Sequence, residues 1–135
     1  MSPIHSDLDT EANSGLSRIV TLDVTVLNSL ADPEIEDGSD LVVELIDLYL
    51  EESTRLLQGI KVGIETRDGM MVKRAAHSLR GSSGNLGILK TAQICWLLEQ
   101  REPGDAVVTG LVQQLDQELV EVSQILQHER QRRTS

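Results

Sequence analysis

Of the three histidines in the chain, His5, His77 and His128, only His77 lies among residues that could make an imidazole react. On an ideal helix turning about 100° per residue, Lys73, Arg74, Arg80, Gly81 and Gly84 all fall within about 60° of the His77 direction. Met71, Val72, Ala75, Leu79 and Leu86 gather on the opposite side, with Ser82 and Ser83 on their flanks. The apolar side predicts a core, so the histidine side faces solvent. An exposed imidazole is largely neutral near pH 7 and offers a nitrogen lone pair as nucleophile. The surrounding cations would draw in an anionic electrophile or an acidic partner. Gly81 and Gly84 each cost about 1 kcal/mol relative to Ala inside a helix. A solvent-facing pair recovers nothing from packing in its own fold, which points to a partner that must come close. The competing reading ends the helix at Gly81-Ser-Ser-Gly84 with a glycine cap and a turn.

The run from His77 to Gly87 reads His-Ser-Leu-Arg-Gly-Ser-Ser-Gly-Asn-Leu-Gly. It resembles the signature of histidine-containing phosphotransfer (HPt) domains: His, a small hydroxylated residue, Leu, Lys, Gly, two small residues, a variable one, a small polar one, an apolar one and Gly. Arg80 in place of the lysine is the one departure. The likeness extends to an acidic amphipathic segment over Leu41 to Ser53 and a following one over Cys95 to Glu99, and covers roughly residues 23 to 127. It implies that His77 accepts a phosphoryl group on Nε2 from an aspartyl phosphate and passes it to another aspartate. The implied partners are receiver domains of response regulators and hybrid histidine kinases, with Mg²⁺ supplied by the receiver and no cofactor held by this chain. Arg80 would stabilise the phosphoryl group, and a guanidinium forks onto phosphate oxygens at least as well as an ammonium. Lys73, Arg74, Gly81 and Gly84 are the candidate partner-binding residues. Such transfer needs mainly alignment and charge neutralisation, so the chain would be a relay with no autonomous kinase activity.

Positioning that face requires helices before and after it. Asp23 predicts the cap of a short helix carrying Val24, Leu27 and Leu30, broken by Ala31-Asp-Pro-Glu. A second helix is expected from Ser39 or Asp40 to about Thr66, with Leu41, Leu45, Leu48, Tyr49, Glu52, Leu56 and Ile60 along its inner stripe. Its acidic outer face, between Asp32 and Glu52, is accounted for by solvation and by the helix dipole. Arg67-Asp-Gly69 turns into the His77 helix. A helix from Ile88 to Arg101 follows, with Ile88, Ala92, Cys95, Leu98 and Trp96 inward, stopped by Glu102-Pro-Gly-Asp105. The last helix is expected from Asp105 to His128, with Val108, Leu111, Leu115, Leu119, Val122 and Leu126 inward. Short connections favour antiparallel neighbours. The expected fold is all-α: an antiparallel four-helix up-down-up-down bundle over residues 22–128 with a short accessory N-terminal helix, a flexible arm over 1–21 and a frayed tail over 129–135.

A chain of 135 residues is one domain long. Its net charge of −10 and its content of one Trp, one Tyr and no Phe argue against nucleic acid, which asks for basic stripes and stacking platforms. The charge is uneven, because residues 68 to 90 carry +3 and the remainder −13. With one cysteine, Cys95, set among apolar neighbours, no internal disulfide can form. No run approaches the roughly 20 apolar residues of a membrane span. These features predict a soluble, cytoplasmic monomer that does not bind membranes.

Other chemistries fit less well. Ser82 and Ser83 lack a paired base and sit toward the packed side, where small residues allow close helix approach. A carboxylate-bridged metal site needs Glu-x-x-His pairs on facing helices, but Arg74 stands three residues before His77, so no metal site is expected. A histidine-kinase hairpin places an acid after its histidine, where this chain has Ser78, and no phosphate-cradling loop is present. The alternative function is a helical interaction module that docks and regulates a receiver or kinase without carrying phosphate.

Overall fold

The computed structural model describes residues 15–31 and 38–134. Its helices are α1 (Val24–Ser29), α2 (Gly38–Glu65), α3 (Gly69–Asn85), α4 (Leu89–Glu99) and α5 (Ala106–Thr134). Neighbours pack in a ring: α2 on α3, α3 on α4, α4 on α5, and α5 back on α2. The connections over 66–68, 86–88 and 100–105 reverse the chain each time, giving the expected four-helix up-down-up-down bundle.

Local chemistry sets the boundaries of α3. Asp68 is extended, and its side chain accepts from the Met71 amide, satisfying an otherwise orphaned first-turn donor. Just upstream, Arg67 adopts φ 57°, while the Asp68 amide donates to the Gly63 carbonyl and the Arg67 amide to that of Ile64, the paired bonds of a Schellman ending. The same motif closes α3, with Ile88 N–H to Ser83 O, Gly87 N–H to Gly84 O, and Gly87 at φ 79°. The capping glycine is therefore Gly87. Gly81 and Gly84 lie inside the helix, which runs through Asn85.

Helix α1 sits across the 86–88 turn. Asp23 caps it by accepting from the Thr25 amide, Leu27 is fully buried, and the Asp23 amide donates to the Gly87 carbonyl. A Cβ on Gly87 would lie 2.7 Å from the Asp23 carbonyl oxygen and 2.8 Å from Val26 Cβ, so the contact itself excludes side chains there.

The structure departs from the sequence expectations at several points. The expected arm over 1–21 is described only from residue 15. From there the chain packs on the bundle, with Leu16 buried and the Val20 carbonyl accepting from the Lys90 amide; His5 lies outside the described residues. The expected frayed tail is the last turn of α5. Arg130 forks onto Asp47 (Nε to Oδ1 2.7 Å, Nη2 to Oδ2 3.2 Å), and Arg133, nearly buried, donates to Asn28 on α1 and pairs with Glu129 at 3.5 Å. On α2 the innermost line is Val42, Ile46, Tyr49, Ser53, Leu56 and Ile60, whereas Leu41 and Leu48 are exposed. Both lines have helical spacing, and the neighbours on either side select the one that carries Tyr49. Met71 and Trp96, expected inward, are exposed because Val72 on α3 and Ile94 and Cys95 on α4 take the seams. Among the described residues no helix is long and apolar enough to cross a membrane.

Candidate functional site

Helix α3 presents His77 because Val72, Ala75, Ala76, Leu79 and Ser83 are buried along its opposite face. That face is pinned by a polar contact as well as by apolar ones. Tyr49 Oη and Ser83 Oγ lie 2.8 Å apart in the core, one hydroxyl donating to the other. Such a bond is worth about 1 kcal/mol net, and losing one partner costs more because the other is left dry. Burial pushes the Tyr49 phenol well above its usual range, against the opposing pull of the Ser83 bond, so it stays a neutral hydroxyl. Ser83 is thus structural, and Ser82 donates to Glu52 Oε1 at 3.3 Å.

The His77 side chain is 68% exposed. Its Nδ1 lies 3.0 Å from Glu99 Oε1 on α4 and 3.1 Å from Arg80 Nη2. Arg80 and Glu99 meet directly, with Nε 2.6 Å from Oε2 in ion-pair contact and Nη2 donating to Oε1 across 3.5 Å. The Glu99 side chain is only 14% exposed, so these charges are less screened than a surface pair. No hydrogen bond engages His77 Nε2 among the described residues.

Arg80, expected from the sequence to stabilise a phosphoryl group, is held by a carboxylate. Glu99 is the residue that sequence reasoning passed over as a site member, standing 22 positions from His77 with no motif joining the two. Beneath them lies Cys95, whose thiol is pushed up to about 12, chiefly by burial and then by the Glu99 charge. At that value it stays protonated and inert.

The two flanks of α3 differ. Toward α4, Arg80 meets Glu99, and Lys73 Nζ lies 3.7 Å from Glu102 Oε1. Toward α2, an open groove of about 390 Å³ runs between the helices, lined by Arg55, Leu56, Met70, Met71, Arg74 and Ser78 among others. Neither Arg55 nor Arg74 has a carboxylate within ion-pair reach among the described residues. Along the ridge, a Cβ placed on Gly81 or Gly84 would meet nothing within 4 Å, so both positions border open space. The sequence-predicted candidates thus share one face, but only Arg74 and the glycines are unoccupied. His128 lies exposed on α5, away from this face.

Comparison with known proteins adds four findings. Residues 44–125 match the model of the Hpt domain family. The chain is 33% identical over 81 residues to the sensor protein TorS of Escherichia coli K12; the match takes in 60% of this chain and 8% of that sensor's length. Among solved structures it is similar to histidine-containing phosphotransfer protein B (HptB) of Pseudomonas aeruginosa PAO1, with a TM-score of 0.74 and 29% identity over 83% of this chain and 96% of that one. It shares its fold with the HPT domain of a hybrid histidine kinase from Shewanella, at a TM-score of 0.64 and 19% identity over 80% of this chain and 92% of that one.

Proposed function

The chain belongs to the Hpt domain family, whose members act with receiver domains in two-component phosphorelays, and from that premise we propose that His77 is its phosphoacceptor. The observation that carries the reading is the state of the His77 ring: Nδ1 is held within the fold, while Nε2 has no partner on a ridge cleared by Gly81 and Gly84. A receiver's aspartyl phosphate would approach that nitrogen in line. The receiver brings the acidic pocket and its Mg²⁺, which neutralises charge on the transferred oxygens. This chain contributes a rigidly held nucleophile and, once the phosphoryl group is in place, the Arg80 guanidinium three residues along the same face. The Nε2–P bond forms as the acyl phosphate P–O bond breaks, and the electron pair leaves on the receiver's carboxylate. The reverse step hands the group to another aspartate.

Receiver docking is assigned to the α2 flank and the glycine ridge. The guanidinium groups of Arg55 and Arg74 complement the acidic rim of a receiver pocket, and Met70 and Met71 supply adaptable apolar area.

Incubation with a phosphorylated receiver should give an acid-labile, base-stable adduct, and His77→Gln should abolish it without changing helicity. Transfer should weaken as salt rises, because exposed charges are screened over about 8 Å at physiological ionic strength. Label retained by His77→Gln would move the site elsewhere. An unlabelled wild-type chain that still bound the receiver would instead support a docking module that carries no phosphate.

A further inference from the structure

The seam between α2 and α5 lies across the ring of helices from the α3/α4 seam, where His77 meets Glu99. Two open grooves follow it, of about 550 Å³ and about 370 Å³, and residues of α2 and α5 alone line both. Where the grooves adjoin, Lys61 Nζ lies 2.8 Å from Asp116 Oδ1, both side chains part-exposed. Leu57 and Val120 stand on one side of that pair, Ile64 and Val112 on the other. Leu57, Ile64 and Val112 are half-buried, and Val120 is 60% exposed, as much as any large apolar side chain among the described residues. On α2, Leu50, Leu57 and Ile64 recur every seven residues, the spacing of a line that packs on another helix. The neighbouring line through Val42, Ile46, Tyr49, Leu56 and Ile60 already builds the core, so this second line has no helix of its own fold to meet.

Charge and symmetry identify what fits there. The chain carries −10, yet the residues lining the two grooves include one base, Lys61, against two acids, Asp116 and Glu65. Two copies that repel elsewhere can approach here at little electrostatic cost. Because α2 and α5 run in opposite directions, Leu57 is level with Val120, Lys61 with Asp116, and Ile64 with Val112. A two-fold axis lying along the seam sets α2 of one copy against α5 of the other without changing level. Lys61 then faces Asp116 across the axis, Leu57 faces Val120, and Ile64 faces Val112. An axis across the seam would instead stack lysine on lysine.

We propose that the α2/α5 face is a self-association surface, on which two copies of this chain pair about a two-fold axis along the seam, in place of the monomer expected from the sequence. The face extends roughly 24 Å along α2 and roughly 20 Å across two helices, giving on the order of 500 Å² per copy. That is below the roughly 800 Å² of a standard interface, so the dimer is weak and reversible. Both His77 faces point away from the axis, leaving each copy free to meet its own receiver. The surface is independent of whether His77 carries phosphate.

The test is sedimentation equilibrium of the full chain from about 10 µM to about 1 mM, the range in which a weak interface of this size associates. The mass should rise from one chain toward two. Val120→Glu should weaken association about tenfold or more, since an unpaired carboxylate would be dried against Leu57, and should leave the melting temperature unchanged because the side chain is exposed. Val107→Glu adds the same charge at another exposed apolar position of α5, outside both grooves, and should change association less than about twofold. Lys61→Glu and Asp116→Lys each place like charges across the axis, so each should stay monomeric alone, and an equal mixture of the two should form the mixed dimer.

A wild-type chain that remains monomeric throughout the range overturns the proposal and leaves the seam to a helix of another protein. So does a Val120→Glu chain that associates as well as Val107→Glu, or a mixture of the charge variants no heavier than its components. If either charge variant melts early, the comparison of Val120→Glu with Val107→Glu decides the matter.

Discussion

On the α4 side of α3, Arg80 and Lys73 are met by Glu99 and Glu102 of the same chain. On the α2 side, Arg55 and Arg74 border an open groove with no carboxylate in ion-pair reach among the described residues, and Met70 and Met71 stand exposed beside them. The same helix thus has one flank whose charge is satisfied internally and one whose charge is left for something else. A cation that already has a partner must be pulled from it before it can serve a second, whereas an unpaired one offers its whole interaction to an incoming acid. The closed flank is suited to holding the His77 ring in place through Nδ1, and the open flank to receiving a partner.

The largest test of this division is at the ridge between the flanks. Gly84→Gln should leave thermal stability unchanged or slightly raised, since the position is helical and borders open space. Exchange with receivers should fall about a hundredfold, as expected when reacting atoms are held apart by an ångström or more, with labelling by phosphoramidate much less affected. Gly87→Ala should do the reverse. It forces a side chain to φ 79° against Asp23 and Val26, costing about 1 to 2 kcal/mol or more of stability and lowering both reactions only as far as the fold is lost. A Gly84→Gln chain that melted early would undo the contrast.

A smaller effect separates the flanks themselves. Reversing Arg55 and Arg74 together to Glu should slow receiver exchange about tenfold at low salt, with the deficit shrinking as ionic strength rises. Reversing Lys73, already paired with Glu102, should slow it only about twofold. Equal losses in initial-rate measurements would show that internal pairing does not distinguish the two sides.

The smallest effect concerns the connection that ties down the closed flank. Asp105 caps the start of α5 by accepting from the Val107 amide, and Arg101 donates to it at 3.3 Å; the amide first, and the guanidinium after it, hold its carboxyl below the usual range. A depressed folded value means that the unfolded chain binds the proton more readily. The contribution is therefore complete above the ordinary carboxylate value of roughly 4 and is lost as pH falls through the folded one. Melting temperature measured from roughly pH 5 down to 2 should decline more gently in Asp105→Asn than in the wild type. An identical decline would remove Asp105 from the account.

What the sequence by itself determined is what lies within one turn of helix or one turn of chain. His77, Arg80, Gly81 and Gly84 share a face because residues three, four and seven apart must do so on any helix, and Asp23 was readable as a cap because capping involves neighbours in sequence. The apolar stripe of α5 was legible for the same reason. The tertiary structure decided whatever depends on how one helix is rotated against another. On α2 the run from Leu41 to Leu50 is apolar on two adjacent lines; the expected stripe took Leu41, Leu45 and Leu48 along with Tyr49, and packing on α3, where Ser83 stands opposite Tyr49, buried Val42 and Ile46 instead of Leu41 and Leu48. The last turn of α5 looked like a frayed end because the partners of Arg130 and Arg133, Asp47 and Asn28, lie 83 and 105 residues away. Glu99 belongs to the same class. No spacing rule links it to His77, and only the packing of α4 on α3 brings its carboxylate to the ring nitrogen, because the face a helix turns to its neighbour is chosen by the whole core rather than by its own period.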